Sequence, residues 1–285
     1  MIDFCMRGGR VEGAGKASGG RSWSLPARRL PSIGEVLSRA SLRDRRLPED
    51  LAEVADIIGA SRLAALLATV VSPPLNRGTD ITLYGERLRM LSLAFKYAES
   101  EDVPGDYAEF GVWRGRNVIE AWRISHKYGI RRRFWAYDSF EGLPELSERD
   151  EGGPFHTGHF AHGRNRFEAR LHRARVPAAD VIVVEGWFDK TLTDPSRPAS
   201  TSIALAWIDC DLYESTVSVL RYLTPRINPG SILMFDDWYT FRADPDKGEM
   251  RACEEWLAEH PGIRIIPWRP FHFAGQSFIV QRTGR

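Results

Sequence analysis

The sequence predicts an α/β fold: a doubly wound, mainly parallel sheet with an antiparallel C-terminal hairpin and an N-terminal helical cap. Short runs that are apolar on both faces alternate with helix-length segments, which is typical of parallel strands covered by helices on both sides. These runs are residues 107–110, 134–137, 181–184, 204–208 and 232–235. Two further strand-like runs, 263–268 and 277–281, end the chain and are joined by a short segment, which indicates a closing hairpin.

Composition and spacing divide the chain into three parts. Residues 1–31 are rich in Gly, Ser and Arg and predict a loose, solvated tail, with an RNA-binding arm as the alternative because basic residues are in excess. Residues 32–105 have three stretches with apolar residues at helical spacing, the last marked by Leu88 and Phe95, and predict the cap. A separate partner-binding domain is the alternative there. Residues 106–285 form the predicted main domain.

The overall composition narrows the class of partner. Of the 285 residues, 43% are hydrophobic and 27% are charged, as in an average soluble globular protein. Lys and Arg number 39 against 38 Asp and Glu, so the charge balance favours neither nucleic acid nor an anionic membrane as the main partner. We therefore expect a small-molecule substrate. The oligomeric state stays open, with a homo-oligomer as one option.

Three features predict a cytoplasmic protein. The cysteines Cys5, Cys210 and Cys253 have no CxxC spacing, which argues against a disulfide framework or a thiolate zinc site. The longest strongly apolar stretch, residues 63–71, is far shorter than the roughly 20 residues that cross a bilayer. The N-terminal residues lack the apolar region of a secretory signal.

A glycine-containing turn follows the first predicted strand, in the segment EFGVWRG at residues 109–115. Between a strand and a helix, such a turn lets the backbone approach a ligand at the helix N-terminus. Its spacing, E-x-G-x-x-x-G, differs from G-x-G-x-x-G and so disfavours a nicotinamide dehydrogenase. Glu109, Gly111 and Gly115 are therefore candidate cofactor-binding residues, with a purely structural turn as the alternative.

The next two predicted strands also end in candidate cofactor-binding residues. Asp138 and Ser139 follow the second strand, where a carboxylate can accept both ribose hydroxyls of a nucleoside. The alternative for Asp138 is a helix cap or a loop-anchoring acid. Gly186, Trp187 and Phe188 follow the third strand, where an adenine ring could lie against apolar side chains. Packing under the sheet edge is the alternative for Trp187 and Phe188.

Carboxylates follow the fourth and fifth predicted strands. Because the carboxyl ends of parallel strands meet at one edge of a sheet, we expect these acids to converge there. A positive group must hold them together, and an all-oxygen ligand set selects a hard divalent ion such as Mg²⁺. The alternative for a single acid is a helix cap or an ion pair with an arginine. The four residues are Asp209, Asp211, Asp236 and Asp237.

Five sequence blocks together resemble the metal-dependent O-methyltransferases of the TylF/MycF type, the macrocin and mycinamicin sugar methyltransferases. The resemblance covers roughly residues 84–282 and implies a Rossmann-like class I methyltransferase fold, S-adenosylmethionine as methyl donor, Mg²⁺ and a hydroxyl acceptor. The acceptor it implies is a sugar of a glycosylated natural product or a related polyol. The blocks are EFGVWRG, YDSFEGLP, EGWFDKTL, DCDLYES and FDDW, in this order.

The resemblance also implies roles for single residues. By position, Asp209, Asp236 and Asp237 are the metal ligands, whereas Asp211 matches a further acid whose role as a ligand is open. Cys210 stands where the family has a glycine. We expect Asp209 to accept the acceptor's proton as well. His272 is the reserve base, and a structural histidine is the alternative there.

Two other classes of function compete with a methyltransferase. A non-catalytic module that binds S-adenosylmethionine or a nucleotide would keep the cofactor turn without turnover. A tailoring enzyme like the cephalosporin hydroxylases would share the sheet but need a redox cofactor or an electron-transfer partner, for which the sequence has no signal.

A histidine-rich segment, HTGHFAH at residues 156–162, is the last candidate site. His156, His159 and His162 have the spacing of imidazoles on one helix face, which suggests zinc or nickel. Glycines and a proline crowd the same segment and disfavour a helix. We therefore predict a mobile loop that covers the substrate.

Overall fold

The computed structural model describes residues 81–283. The predicted tail and the first two predicted cap helices lie outside the described residues. The third cap helix is present as α1 (Ile81–Ser100). It packs on the sheet through apolar side chains such as Leu91 and Phe95, which are completely buried.

Strands and helices alternate after α1, as the sequence predicts. Two short 3₁₀ turns, Glu148–Asp150 and Phe241–Ala243, lie in loops. The elements are β1 (Asp106–Phe110), α2 (Arg116–Lys127), β2 (Phe134–Asp138), α3 (Arg164–Arg173), β3 (Val181–Glu185), α4 (Phe188–Thr191), β4 (Ile203–Ile208), α5 (Tyr213–Leu223), β5 (Ile227–Phe235), α6 (Gly248–Glu259), β6 (Ile263–Phe271) and β7 (Gly275–Arg282).

One sheet of seven strands has the order β3-β2-β1-β4-β5-β7-β6. The first five strands of this order pair in parallel. β7 is antiparallel to both β5 and β6. The strand order reverses between β1 and β4, which is the point where open α/β sheets bind their ligands. The predicted doubly wound sheet with a closing antiparallel hairpin is confirmed.

The strands β5, β6 and β7 are each at least three residues longer than the sequence predicts. β5 begins five residues early, because Ser231 Oγ accepts the N–H of Asn228 and donates to the carbonyl of Ile203, which bridges an irregular Asn-Pro-Gly step. β6 extends through Pro267 and Pro270. Prolines are tolerated there because β6 is an edge strand and one side of it needs no ladder hydrogen bonds.

Buried apolar residues form a cluster on each face of the sheet. One cluster joins α1, α2 and α3 to side chains such as Tyr107 and Trp207, and the other joins α5 and α6 to side chains such as Phe110 and Phe235. With both faces covered by helices, the open edge for a ligand is the carboxyl end of the strands. No helix among residues 81–283 is long and apolar enough to cross a membrane.

Candidate active site

A cavity of about 710 Å³ lies at the carboxyl ends of the parallel strands. Most of the predicted site residues line it, so the sheet brings the cofactor turn and the acids into one space. Two predicted residues, Glu109 and Gly115, are absent from its lining. The predicted residues that do line it are Gly111, Asp138, Ser139, Gly186, Trp187, Phe188, Asp209, Asp236, Asp237 and His272.

The turn after β1 requires its two glycines for packing. Gly111 has a φ of 87°, and a Cβ there would lie 1.8 Å from the carbonyl oxygen of Asp209. This close approach holds the ends of β1 and β4 together. Gly115 begins α2 with a φ of 73°, and a Cβ there would lie 2.5 Å from the ring of Phe167. Gly111 therefore shapes the cavity wall, whereas Gly115 lets α2 pack on α3.

Glu109 lies beneath this turn, not in the cavity. Its Oε2 accepts a hydrogen bond from the Tyr107 hydroxyl at 2.6 Å and another from Asn117 Nδ2 at 3.1 Å. Burial raises the pKa of Glu109 to about 8 despite these hydrogen bonds. At neutral pH the side chain is therefore a protonated, structural carboxyl group, and the structure does not support its predicted contact with a cofactor.

Asp138, at the end of β2, ties two loops together. Its Oδ2 accepts the N–H groups of Val112 and Trp113 at 2.8 and 2.9 Å, and its Oδ1 accepts that of Phe140 at 2.6 Å. Burial raises the pKa of Asp138, while the three backbone hydrogen bonds act in the opposite direction. Asp138 thus has the loop-anchoring role that the sequence left as the alternative, and it also lines the cavity.

Ser139 closes the turn that follows β2. Its hydroxyl donates to the carbonyl of Gly142 at 3.0 Å and accepts the N–H of Glu141 at 3.1 Å. This turn and the β1 turn are both held by Asp138, so the two walls at this end of the cavity form one hydrogen-bonded unit.

The segment after β3 forms the opposite wall of the same end. The Gly186 N–H donates to the carbonyl of Asp138 at 2.9 Å, and its φ of 131° favours glycine. Phe188 packs edge-on against Phe110, with 6.2 Å between ring centroids, and also lines the cavity. Phe188 therefore packs under the sheet edge and still presents an apolar surface to a ligand, while Trp187 lines the cavity beside it.

The acids after β4 and β5 converge at the other end of the cavity. Asp209, Asp211 and Asp237 each place a carboxylate oxygen within 4.8 Å of the others. Asp211 has a left-handed backbone with a φ of 62°, which is uncommon for a residue other than glycine. The cluster shares Asp209 and Asp237 with the predicted ligand set, but has Asp211 where that set has Asp236.

Asp236 is held by two basic side chains. Arg87, from α1, forms an ion pair with its Oδ2, and His272 Nε2 lies 3.2 Å from its Oδ1. Burial acts to raise the pKa of Asp236, but the charge of Arg87 and the hydrogen bond with His272 outweigh burial and lower it. Arg87 Nη2 also lies 3.7 Å from Asp209 Oδ2. The sequence indicated that a positive group must be present, but no motif marked Arg87.

The other acids of the cluster hold their protons more tightly. Burial, followed by the charge of neighbouring aspartates, raises the pKa of Asp209 and Asp211 well above its usual range and that of Asp237 to about 6. Glu249, at the start of α6, contacts this cluster, and the sequence did not predict it as a site residue. Its Oε2 accepts the N–H of Asp237 at 3.0 Å, and burial raises its pKa well above the ordinary value.

Both ring nitrogens of His272 are engaged within the protein, so neither is available to the hydroxyl group that would accept a methyl group. Its Nδ1 accepts the N–H of Ala274 at 3.1 Å, and its Nε2 faces Asp236. The described geometry therefore makes His272 a residue that orients Asp236, and it does not support the predicted reserve base.

The histidine-rich segment is a loop along the cavity rim, and it contains no helix. Phe155 and Phe160 from this region line the cavity, and Phe160 packs edge-on against Trp113 with 5.5 Å between ring centroids. Across residues 81–283, the aspartates are the group whose ligand atoms converge as a metal requires, and the three histidines form no such group. Whether the loop moves stays a prediction.

The sheet order, the glycine turn after β1 and the cavity at the strand ends define a class I methyltransferase fold. The model of the macrocin O-methyltransferase (TylF) family matches residues 77–260. The chain therefore belongs to this family, which confirms the resemblance seen in the five sequence blocks.

The chain is similar to O-methyltransferases of Streptomyces and Micromonospora. It is 34% identical to 8-demethyl-8-(2,3-dimethoxy-alpha-L-rhamnosyl)-tetracenomycin-C 4'-O-methyltransferase of Streptomyces olivaceus, over 54% of this chain and 60% of that protein. It is 31% identical to mycinamicin III 3''-O-methyltransferase of Micromonospora griseorubida, over 54% of this chain and 63% of that protein. The matched part of the chain thus spans about three fifths of the length of these relatives.

A solved structure shows the same fold. The O-methyltransferase NovP superposes with a TM-score of 0.57 and 26% sequence identity, over 68% of this chain and 79% of that chain.

Proposed function

We propose that this protein transfers a methyl group from S-adenosylmethionine to a hydroxyl oxygen of a sugar in a glycosylated natural product, with help from Mg²⁺. The observation that carries the proposal is the single cavity that joins the Asp138 loops at one end to the aspartate cluster at the other. The names of two relatives support the choice of acceptor class. One name refers to a rhamnosyl compound and the other to mycinamicin.

The donor's place is the end of the cavity built by the loops after β1, β2 and β3. Asp138 and Ser139 hold this end rigid through backbone hydrogen bonds, and Asp138 retains carboxylate lone pairs for ribose hydroxyls. Trp187 and Phe188 offer apolar surface for an adenine ring. Because the loops are already ordered by their own hydrogen bonds, little conformational freedom is lost when the donor binds.

The place of the cation is the aspartate cluster. The metal-ligating atoms of the cluster are all carboxylate oxygens, which fit a hard ion such as Mg²⁺ and not a soft metal. Asp209, Asp236 and Asp237 are the proposed ligands, and Asp211 lies beside them. Glu249 fixes the backbone of Asp237, and His272 orients Asp236. A bound Mg²⁺ would stabilise negative charge on an acceptor oxygen.

Asp209 is the proposed proton acceptor, since it belongs to the aspartate cluster and lines the cavity. The acceptor oxygen forms a bond to the methyl carbon as the carbon–sulfur bond breaks, and the hydroxyl proton passes to the Asp209 carboxylate. Without a cation, burial raises the pKa of Asp209 well above its usual range and favours the protonated form, so a bound Mg²⁺ would be needed to keep the carboxylate ionised for that transfer. The walls of the cavity supply the remaining requirement, which is alignment of the oxygen with the methyl group.

The test is mass spectrometry of acceptors incubated with the protein, S-adenosylmethionine and Mg²⁺. A panel of glycosides with a vicinal diol should gain about 14 mass units, and the matched glycosides with one of the two hydroxyls removed should react much more slowly because they align less well. EDTA should abolish the gain, and Mg²⁺ should restore it.

Two outcomes would assign the chain differently. Tight binding of donor and cation with no methylation across a broad panel of sugars and phenols would favour the non-catalytic module. A gain of about 16 mass units in the presence of a reductant and O₂ would favour the hydroxylase class. Full methylation in excess EDTA would remove the cation from the proposal and leave the acids with a structural role.

A further inference from the structure

A buried arginine contributes positive charge to the aspartate cluster. Arg87 lies on α1, and its Nη2 forms the ion pair with Asp236 while lying 3.7 Å from Asp209. An arginine is always charged in a protein, so the contact adds a full positive charge. Two of the three proposed cation ligands are therefore already engaged by a cation that the chain itself supplies.

A divalent ion needs the same carboxylate oxygens that Arg87 uses. We propose that Arg87 and the divalent cation compete for the carboxylates of Asp209 and Asp236, so that Arg87 sets the cation affinity of the site. This inference rests on the cation site of the proposed function. It agrees with the geometry of the cluster, because Asp236 is paired with Arg87 and is not one of the three acids whose oxygens converge.

The surroundings of Arg87 allow it to leave. Its side chain is 28% exposed and lines the cavity, so open space lies next to the guanidinium. Its Nε is buried without a hydrogen-bond partner, so the present position satisfies the guanidinium only in part. Asp236 would not lose its orientation on the departure of Arg87, because His272 contacts the other carboxylate oxygen.

The competition also connects α1 to the cation. Arg87 faces the cavity, whereas Arg89, two residues along the same helix, is exposed to solvent. A cation that displaces Arg87 removes an ion pair between α1 and the end of β5. Arg87 is therefore a positioning residue that acts through Asp236 and Asp209, and it need not contact the reacting atoms.

The experiment measures binding of Mn²⁺, a paramagnetic substitute for Mg²⁺, to the full chain by electron paramagnetic resonance. Arg87→Met removes the charge and keeps an apolar stem, and it should bind Mn²⁺ about tenfold more tightly or better, because a like charge is removed from the site. Arg87→Lys keeps the charge and should stay near wild type. The control Arg89→Met makes the same change on the exposed face and should also match wild type.

The sign of the change separates competition from a merely structural role. Equal or weaker Mn²⁺ binding in Arg87→Met would overturn the proposal, and so would absence of Mn²⁺ binding in wild type and variant alike. If Arg87→Met does not fold, Arg87→Gln takes its place with the same expectation. The Mn²⁺ assay contains no methyl acceptor, so it tests the competition independently of methylation. Tighter Mn²⁺ binding in the variant, together with no methylation in the separate panel of acceptors, would refute the proposed function alone.

Discussion

His272 Nε2 donates a hydrogen bond to Asp236 Oδ1 over 3.2 Å, at the point where the β6–β7 turn meets the end of β5. The direction of the bond follows from the other ring nitrogen. Nδ1 accepts the backbone N–H of Ala274, which can only donate, so the proton of the neutral ring is on Nε2. The turn therefore fixes the tautomer of His272 and, through it, the orientation of a proposed cation ligand.

Replacing His272 should weaken the cation site without affecting the donor site. His272→Ala removes the hydrogen bond that orients Asp236, and such outer partners of metal ligands are typically worth about 10–100-fold in metal affinity or activity. We expect Mn²⁺ affinity and turnover to fall by this factor. The affinity for S-adenosylhomocysteine should stay unchanged. His260→Ala, after the end of α6, is the matched control. Wild-type Mn²⁺ affinity in His272→Ala would show that Asp236 needs no such partner.

Replacing Asp138 should weaken donor binding. Asp138→Ala leaves the N–H groups of Val112, Trp113 and Phe140 without their acceptor, so the loops at the donor end lose their shared anchor. We expect S-adenosylhomocysteine to bind about 1.5–3 kcal/mol more weakly by calorimetry, the usual scale for a charged hydrogen-bond acceptor. Glu141→Ala, exposed in the same loop, should bind normally. Unchanged affinity in Asp138→Ala would remove Asp138 from the donor site.

Glu109 should tolerate an isosteric neutral substitution. Its pKa of about 8 means that the carboxyl group is protonated at neutral pH, so Glu109→Gln should preserve both the fold and the affinity for S-adenosylhomocysteine. A folded-state pKa above the ordinary 4.5 costs the wild type stability progressively as pH rises from about 4.5 to about 8. In thermal unfolding, the stability of Glu109→Gln relative to the wild type should therefore increase as the pH rises across that range. A loss of donor affinity in this variant would return Glu109 to the cofactor site.

Replacing Asp209 should abolish chemistry and spare the fold. Asn resembles the protonated carboxyl that the raised pKa of Asp209 favours, so thermal unfolding should change little. Turnover should fall by about 100-fold or more, because Asp209→Asn removes the proposed proton acceptor together with a negative charge from the cation site. Asp189→Asn, an exposed acid elsewhere on the cavity lining, is the control. Turnover within a few-fold of wild type would refute the dual role of Asp209.

The parts that the sequence predicted depend on local pattern. Short runs that are apolar on both faces placed the five parallel strands to within a residue at most ends. Once the strands are parallel, their carboxyl ends must meet at one edge, so Asp138, Asp209, Asp236 and Asp237 were expected together from their positions alone. The exception was β5, whose Asn-Pro-Gly step resembles a turn and is bridged only by the hydroxyl of Ser231.

The tertiary structure decided which partners those acids have. Arg87 and Asp236 are 149 residues apart, and their contact depends on how α1 packs across the sheet, which no local spacing encodes. Glu109 and Asp138 were both candidates for contact with a cofactor because both sit at strand ends. The buried side chain of Glu109 accepts hydrogen bonds from Tyr107 and Asn117. The side chain of Asp138 instead lines the cavity and accepts three backbone N–H groups. Sequence periodicity thus determined which edge carries the site, and packing between distant elements determined what each side chain at that edge can bind.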